Sequence, residues 1–250
     1  MQQRVIWGAI ALAIFLPFLW IGDLPFQLFI GVLAMIAVSE LLRMRRLEVF
    51  SFEGVFAMLA AFSLVVPLQN YLTFLPVDGS FTIFGLLMFF ILAGTVISSD
   101  TYAFDDAAYP ILSSLYVGIG FQNLVNARMA GLDKVFLALF IVWATDTGAY
   151  FIGRRMGRRK LLPKVSPNKT IEGSLGGILS AVIVSLIFML FDKDVYAPHH
   201  FLIMLILVAI FSIFAQFGDL VESAIKRRFA VKDSGNLIPG HGGILDRFDS

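Results

Sequence analysis

Asp219, Glu222, Ser223 and Lys226 stand at positions i, i+3, i+4 and i+7. On a helix, that spacing puts all four side chains on one face. The stripe offers carboxylates for a hard cation, and a hydroxyl and an ammonium for phosphate oxygens. A turn rich in glycine and proline follows, Lys232-Asp233-Ser234-Gly235-Asn236-Leu237-Ile238-Pro239-Gly240-His241-Gly242-Gly243. Glycines let backbone amides come close to phosphate, so the Gly240–Gly243 amides are candidates for such contacts. Asp246 and Asp249, three apart, could share a helix face and hold Mg²⁺, which takes carboxylates together with substrate phosphates. His241 is better read as a phosphate hydrogen-bond partner or a loop residue, because Mg²⁺ prefers oxygen. A glycine-rich turn alone is usually an ordinary loop, and Asp219–Lys226 alone a solvated helix end. Their succession points to phosphate chemistry. The chain has no G-x-x-x-x-G-K-[ST] segment, which argues against a Walker-type NTPase.

Two upstream segments add polar chemistry. Asp146, in Trp143-Ala144-Thr145-Asp146-Thr147-Gly148-Ala149-Tyr150, lies roughly 10 Å along a helix from the basic stretch that begins at Arg154. An acid at the centre of a membrane helix costs about 2.5–3.5 kcal/mol on insertion scales, so it faces a bundle interior or a polar cavity. A structural hydrogen bond to Thr or Tyr of a neighbouring helix is the alternative. In Lys164–Ser174, Ser166 before Pro167 reads as a helix N-cap with proline in the first turn. Free amides there, beside Lys169 and Thr170, would suit a phosphate. The arginines from Arg154 to Arg159 read simply as a positive-inside loop; for Ser166–Glu172 both readings stay open.

The elements that must position these residues are membrane helices. Of the 250 residues, 58% are hydrophobic and only 15% charged, with 26 Phe and 9 Met. Soluble domains carry about 45–50% apolar and about 25% charged residues. Candidate spans are Val5–Ile21, Leu24–Leu42, Gly54–Leu68, Phe81–Ile97, Ala107–Val125, Val135–Ile152, Ser174–Phe191 and Phe201–Phe217. Gly54–Leu68 is short for a span, and a tilted, re-entrant or extended segment fits it. The run after Met1–Arg4 continues through Trp20, which favours a retained first span over a cleaved signal.

Lysines and arginines set the orientation. Arg43, Arg45 and Arg46 follow the second span, Arg154–Lys169 the sixth, and Lys226–Arg247 the eighth. With eight spans and a cytoplasmic N-terminus, all three groups face the cytoplasm. The opposite loops, around Asp23, Asp78, Arg128 and Asp192–His200, are poor in basic residues. The expectation is an all-α, polytopic helical bundle of about eight spans, a single membrane domain over 1–250. Helices of 1–130 form its N-terminal part and 131–250 its catalytic half. The chain has no cysteine, so disulfides and thiolate metal sites are excluded. Its basic residues sit in short loops between apolar spans, which gives nucleic-acid binding no support.

The segment from Ser223 through Lys226, Arg227, Lys232, Asp233, Pro239, Gly240, His241, Gly242, Gly243, Asp246, Arg247 and Asp249 resembles the signature of the phosphatidate cytidylyltransferases, or CDP-diacylglycerol synthases. The Asp146 segment and Ser166–Gly177 also resemble upstream segments of that family, while the first four or five spans match it only in hydrophobic character. The resemblance implies CMP transfer from CTP to phosphatidic acid, giving CDP-diacylglycerol and pyrophosphate. It implies Mg²⁺, a monovalent cation such as K⁺ as a second ion, membrane lipids as surroundings and a homodimer. It places the protein in a bacterial inner membrane with the site facing the cytoplasm. Asp219 and Asp246 become the expected metal ligands, with Asp249 next. Lys226, Arg227, Lys232 and Arg247 would neutralise triphosphate or lipid phosphate; Ser223, His241, Gly242 and Gly243 would position phosphate oxygens. Asp146, Ser166, Lys169 and Glu172 would complete the cavity. The family pattern also leads one to expect a final membrane helix after the position of Ser250.

Two rivals remain. A CTP-dependent polyprenol or phytol kinase would share the bundle and the nucleotide but phosphorylate an alcohol. An ion transporter would use Asp146 and Asp219 as a path, and would spread its acids through the membrane depth rather than towards one side.

Overall fold

The computed structural model describes residues 2–71, 79–98, 100–197, 199–237, 240 and 242–249, with side chains from Ile6 onward. Eight α-helices are present among them: α1 (Gln2–Ile21), α2 (Asp23–Met44), α3 (Phe52–Val65), α4 (Ser80–Ile97), α5 (Phe104–Ala130), α6 (Leu132–Met156), α7 (Ile171–Phe191) and α8 (Phe201–Arg228). They coincide in order with the eight expected segments. Five of them (α2, α4, α6, α7 and α8) are long and apolar enough to cross a membrane. The 14 residues of α3 reach only about 21 Å at 1.5 Å per residue, short of the roughly 30 Å of hydrocarbon. α5 is long at 27 residues but opens on Asp105 and Asp106 and carries Arg128 in its last turn. Asp78 lies outside the described residues.

The all-α expectation needs one addition. Lys160–Leu162 (β1) and Ser166–Thr170 (β2) pair as a two-stranded antiparallel hairpin between α6 and α7. Ser166 is therefore extended and caps no helix. The residue before a proline is pushed out of the α region, and that preference prevails over proline's aptitude for a first helical turn. The cap of α7 is Thr170, whose hydroxyl accepts from the Gly173 amide at 3.1 Å.

The chain forms two compact units, Met1–Met129 with Asp233–Asp246, and Ala130–Lys232 with Arg247–Ser250. In the first, small residues let α3 sit deep: Ala57, Ala60 and Ala61 are fully buried. A Cβ on Gly118 of α5 would come within 2.6 Å of Leu64, and one on Gly31 of α2 within 2.7 Å of Phe62. Arg128 closes the turn between α1 and α2, donating to the carbonyls of Leu19 (2.6 Å) and Trp20 (3.1 Å). At the other end of α2, Tyr109 donates its hydroxyl to the Leu41 carbonyl at 2.9 Å, and Arg45 pairs with Asp106 at 3.5 Å.

The second unit is built on the contact of α6 with α7. A row of glycines, Gly173, Gly176 and Gly177, lies on the buried side of α7. A Cβ on Gly177 would lie 2.7 Å from the Thr145 carbonyl, and one on Gly176 2.5 Å from Ile152. Without a hydrophobic drive between helices in lipid, such close backbone approach is what holds a pair together. Thr145, fully buried, meets Ser212 of α8 at 2.7 Å, a hydrogen bond that ties the third helix in. Leu137, Ile141, Ala181, Met189, Val195 and Val208 form an apolar cluster at one end of this unit. The chain direction then brings the last turns of α6 and α8 and the first turn of α7 to the opposite end, together with the hairpin. Bulky apolar residues of α8, among them Leu202, Ile206, Phe214 and Phe217, stay exposed, as on a lipid-facing surface.

Gly177→Leu should destabilise this unit by about 1–3 kcal/mol, the usual cost of overpacking a tight contact. Gly85→Ala, where a Cβ meets nothing within 4 Å, should leave stability essentially unchanged. Thermal unfolding of the two variants in detergent checks the contrast.

Candidate active site

The α8 stripe exists as the spacing indicates, because the helix runs without a break to Arg228. Asp219 accepts from the Ser223 hydroxyl at 3.3 Å and forms an ion pair with Lys169, which the hairpin presents. One turn on, Glu222 is fully buried and pairs with Lys226 at 2.6 Å. The Asp249 carboxyl lies against Glu222. Burial holds Asp249 above its ordinary carboxylate range, with the nearby Asp219 charge adding to the rise. Asp146, exposed on α6, lies within electrostatic range of Asp219, Asp249 and Lys169. One end of this unit thus gathers Asp146, Lys169, Asp219, Glu222, Ser223, Lys226 and Asp249.

Local structure explains why the hairpin delivers Lys169 there. The Glu172 carboxylate accepts from the backbone amides of Arg158 (3.0 Å) and Arg159 (3.2 Å), stitching the end of α6 to the start of α7. Glu172 thereby shapes the loop that carries Lys169. Arg227 reaches the Val165 carbonyl at 3.5 Å, a contact that ties α8 to the same hairpin. Ser166, half-buried in β2, stands three residues from Lys169.

Asp246 belongs to the other unit. It sits in a short 3₁₀ turn, Leu245–Arg247, which ends before Asp249, so the two acids do not share a helix face. A single turn of this kind lacks the length that a three-residue spacing would need to align them. One Asp246 oxygen accepts from the Ser234 amide, the Ser234 hydroxyl and the Gly243 amide, each at 2.8 Å. The Gly243 N–H is therefore already donated within the turn. Gly242 has φ +89°, a left-handed conformation that glycine adopts freely, and a Cβ there would strike the Asp246 carboxylate. Lys232 and Arg247 are exposed. His241 lies outside the described residues.

The residue that the sequence did not single out is Glu40 of α2. Only 3% exposed, it accepts from the amides of Ile244 (2.8 Å) and Leu245 (2.9 Å) and from the Ser234 hydroxyl (2.9 Å). An acid at the end of an apolar span was a visible signal. It stands three residues before Arg43, at the end of the second apolar run.

The carboxylates of the second unit are all hard oxygen donors, and this donor set suits Mg²⁺ rather than a softer metal. Among the described residues, no three or more His, Cys, Asp or Glu form a ready-made cage. Mg²⁺ seldom asks for one, since it is commonly held by one or two carboxylates plus substrate phosphates. The donor chemistry thus fits the ion.

Comparison with known proteins points the same way as this chemistry. The model of the cytidylyltransferase family matches residues 2–250. The chain is 40% identical to a phosphatidate cytidylyltransferase of Bacillus subtilis (strain 168), over all of this chain and 93% of that protein. It is 44% identical to one from Staphylococcus haemolyticus (strain JCSC1435), over all of this chain and 94% of that protein. For one from Staphylococcus aureus (strain COL) the identity is 43%, with the same coverage. A family pattern matched from the first helix to the last described turn, and relatives aligned along the whole chain, leave one assignment: the chain belongs to the cytidylyltransferase family.

Proposed function

We propose that this protein is a phosphatidate cytidylyltransferase, transferring CMP from CTP to phosphatidic acid to give CDP-diacylglycerol and pyrophosphate. The observation that carries the reading is the α8 face, where Asp219 and Ser223 meet Lys169 beside the buried Glu222–Lys226 pair. A phosphate oxygen of the lipid attacks the α-phosphorus of CTP. A new P–O bond forms as the bond to the β-phosphate oxygen breaks, and pyrophosphate leaves with that electron pair. No protein nucleophile is needed; alignment and charge neutralisation carry the step.

Lys169 and Lys226 supply positive charge within the cluster, and Arg227, Lys232 and Arg247 are further cations for triphosphate or lipid phosphate. Ser223 can donate to a phosphate oxygen. Asp219 and Asp249, with Asp146 in electrostatic range of both, are carboxylates of the second unit that would hold Mg²⁺. Asp246 is a candidate ligand of the first unit, and its three donors fix its orientation as a ligating carboxylate requires. Bound Mg²⁺ would supply Lewis-acid activation of the α-phosphate and neutralise the departing pyrophosphate. We read a monovalent cation such as K⁺ as a second ion and the active enzyme as a homodimer. The bacterial relatives support an inner-membrane location, and the basic groups after the second, sixth and eighth helices support a site on the cytoplasmic side.

Purified protein given α-labelled CTP and phosphatidate should yield labelled lipid, and only with Mg²⁺ present. A polyprenol or phytol kinase would label lipid from γ-labelled CTP alone, and that result would sink the assignment. Ion flux in liposomes without nucleotide chemistry would instead favour a transporter.

Asp219→Asn and Asp246→Asn should each cut kcat by roughly 10²–10³-fold or more, the scale seen when one preorganised electrostatic group is lost. Both variants should elute and melt like the parent in detergent. Near-parental turnover in either one removes that residue from the metal assignment.

A further inference from the structure

Glu40 is a buried carboxylate on an apolar helix, and all three of its hydrogen bonds go to residues 194 to 205 positions away in sequence. A lone acid there is costly, and an apolar side chain would fill the position at less expense. What the acid does is hold one segment. Its Oε1 takes the Ile244 amide, and its Oε2 takes the Leu245 amide and the Ser234 hydroxyl. Ser234, only 5% exposed, also donates to Asp246, so its single hydroxyl hydrogen is shared between the two carboxylates. Two glycines of the turn make room for Glu40. A Cβ on Gly235 would lie 2.7 Å from its carboxylate, and one on Gly243 would collide with it and with Ser234. These glycines are thus explained by a protein carboxylate rather than by a phosphate.

We propose that Glu40 is a positioning residue for cytidylyl transfer, acting through Ser234 and the 244–245 amides to fix the glycine-rich turn and the carboxylate of Asp246. This proposal rests on the functional reading above. It assigns the second helix, far from the signature in sequence, a part in holding the signature turn. Glu40→Gln puts an amide NH₂ where an oxygen now faces N–H donors, so at least one of the three contacts is lost without a change of size.

The test compares the full-length protein, Glu40→Gln and Ser234→Ala in detergent, with two readouts. Hydrogen exchange over residues 242–249 reports the anchor without any activity; steady-state kinetics with CTP, phosphatidate and varied Mg²⁺ reports its use. In Glu40→Gln at least one of the Ile244 and Leu245 amides should exchange at least tenfold faster. In the same variant kcat should fall at least tenfold, the Mg²⁺ needed for half-maximal activity should rise several-fold, and KM for phosphatidate should stay within twofold. Ser234→Ala should move kcat and the Mg²⁺ requirement the same way by less, in a chain that still melts cooperatively. A Glu40→Gln chain with parental exchange and kcat overturns the proposal. So does one whose kcat falls only in proportion to lost folded protein, with the Mg²⁺ requirement unmoved. If Glu40→Gln does not fold, Ser234→Ala decides, and parental kinetics there overturn the role. A parent chain that transfers no CMP overturns the functional reading instead, while exchange protection lost in Glu40→Gln then still supports the anchor.

Discussion

A carboxylate inside an apolar bundle has to find its donors within the protein, because hydrocarbon supplies none. That requirement organises both units. Glu40 draws two amides and a hydroxyl from a distant loop. Asp219 is met by Lys169 and Ser223, and Glu222 by Lys226. Glu40 and Asp219 each draw a loop onto a membrane helix, whereas Glu222 finds its partner one turn along its own helix. The hairpin between α6 and α7 is held the same way, since the two amides that Glu172 caps would otherwise lie loose at the end of α6. Membership of the cytidylyltransferase family gives this arrangement its use, because a reaction between two phosphates asks for cations and hard oxygen donors kept in register.

Most of the architecture was legible in the sequence because lipid imposes a simple code. A span is a run of apolar residues, and it looks the same whatever it packs against. The α8 stripe was legible for a related reason: a 3.6-residue period turns Asp219, Glu222, Ser223 and Lys226 into neighbours without knowledge of any other helix. What could not be read depends on partners far away in the chain or on a choice between two local preferences. Glu40 carries no local mark of its role, since its partners begin at Ser234. Pro167 admits either a first helical turn or an extended segment, and pairing of β2 with β1 decides for the second. Asp246 and Asp249 have helical spacing, but the turn that holds the first is over before the second.

Glycine shows how one residue type serves unlike ends within this chain. On α7, Gly173, Gly176 and Gly177 give up side chains so that two backbones can touch. In the terminal turn, Gly235 and Gly243 give them up so that a carboxylate can enter, and Gly242 adopts a backbone that other residues avoid. A glycine-rich signature in a phosphate enzyme therefore need not be a phosphate cradle at every position.

The return of residues 233–246 to the unit that contains the first five helices bears on biosynthesis. At about 5–20 residues per second, roughly 10–40 s separate the synthesis of Glu40 from that of Ser234. During that interval the second helix is already made, and its acid has none of its final partners. The nascent N-terminal unit must keep that acid hydrated or protonated until Ser234, Ile244 and Leu245 arrive. Completion of the first unit is thus also a check that translation has run through the signature.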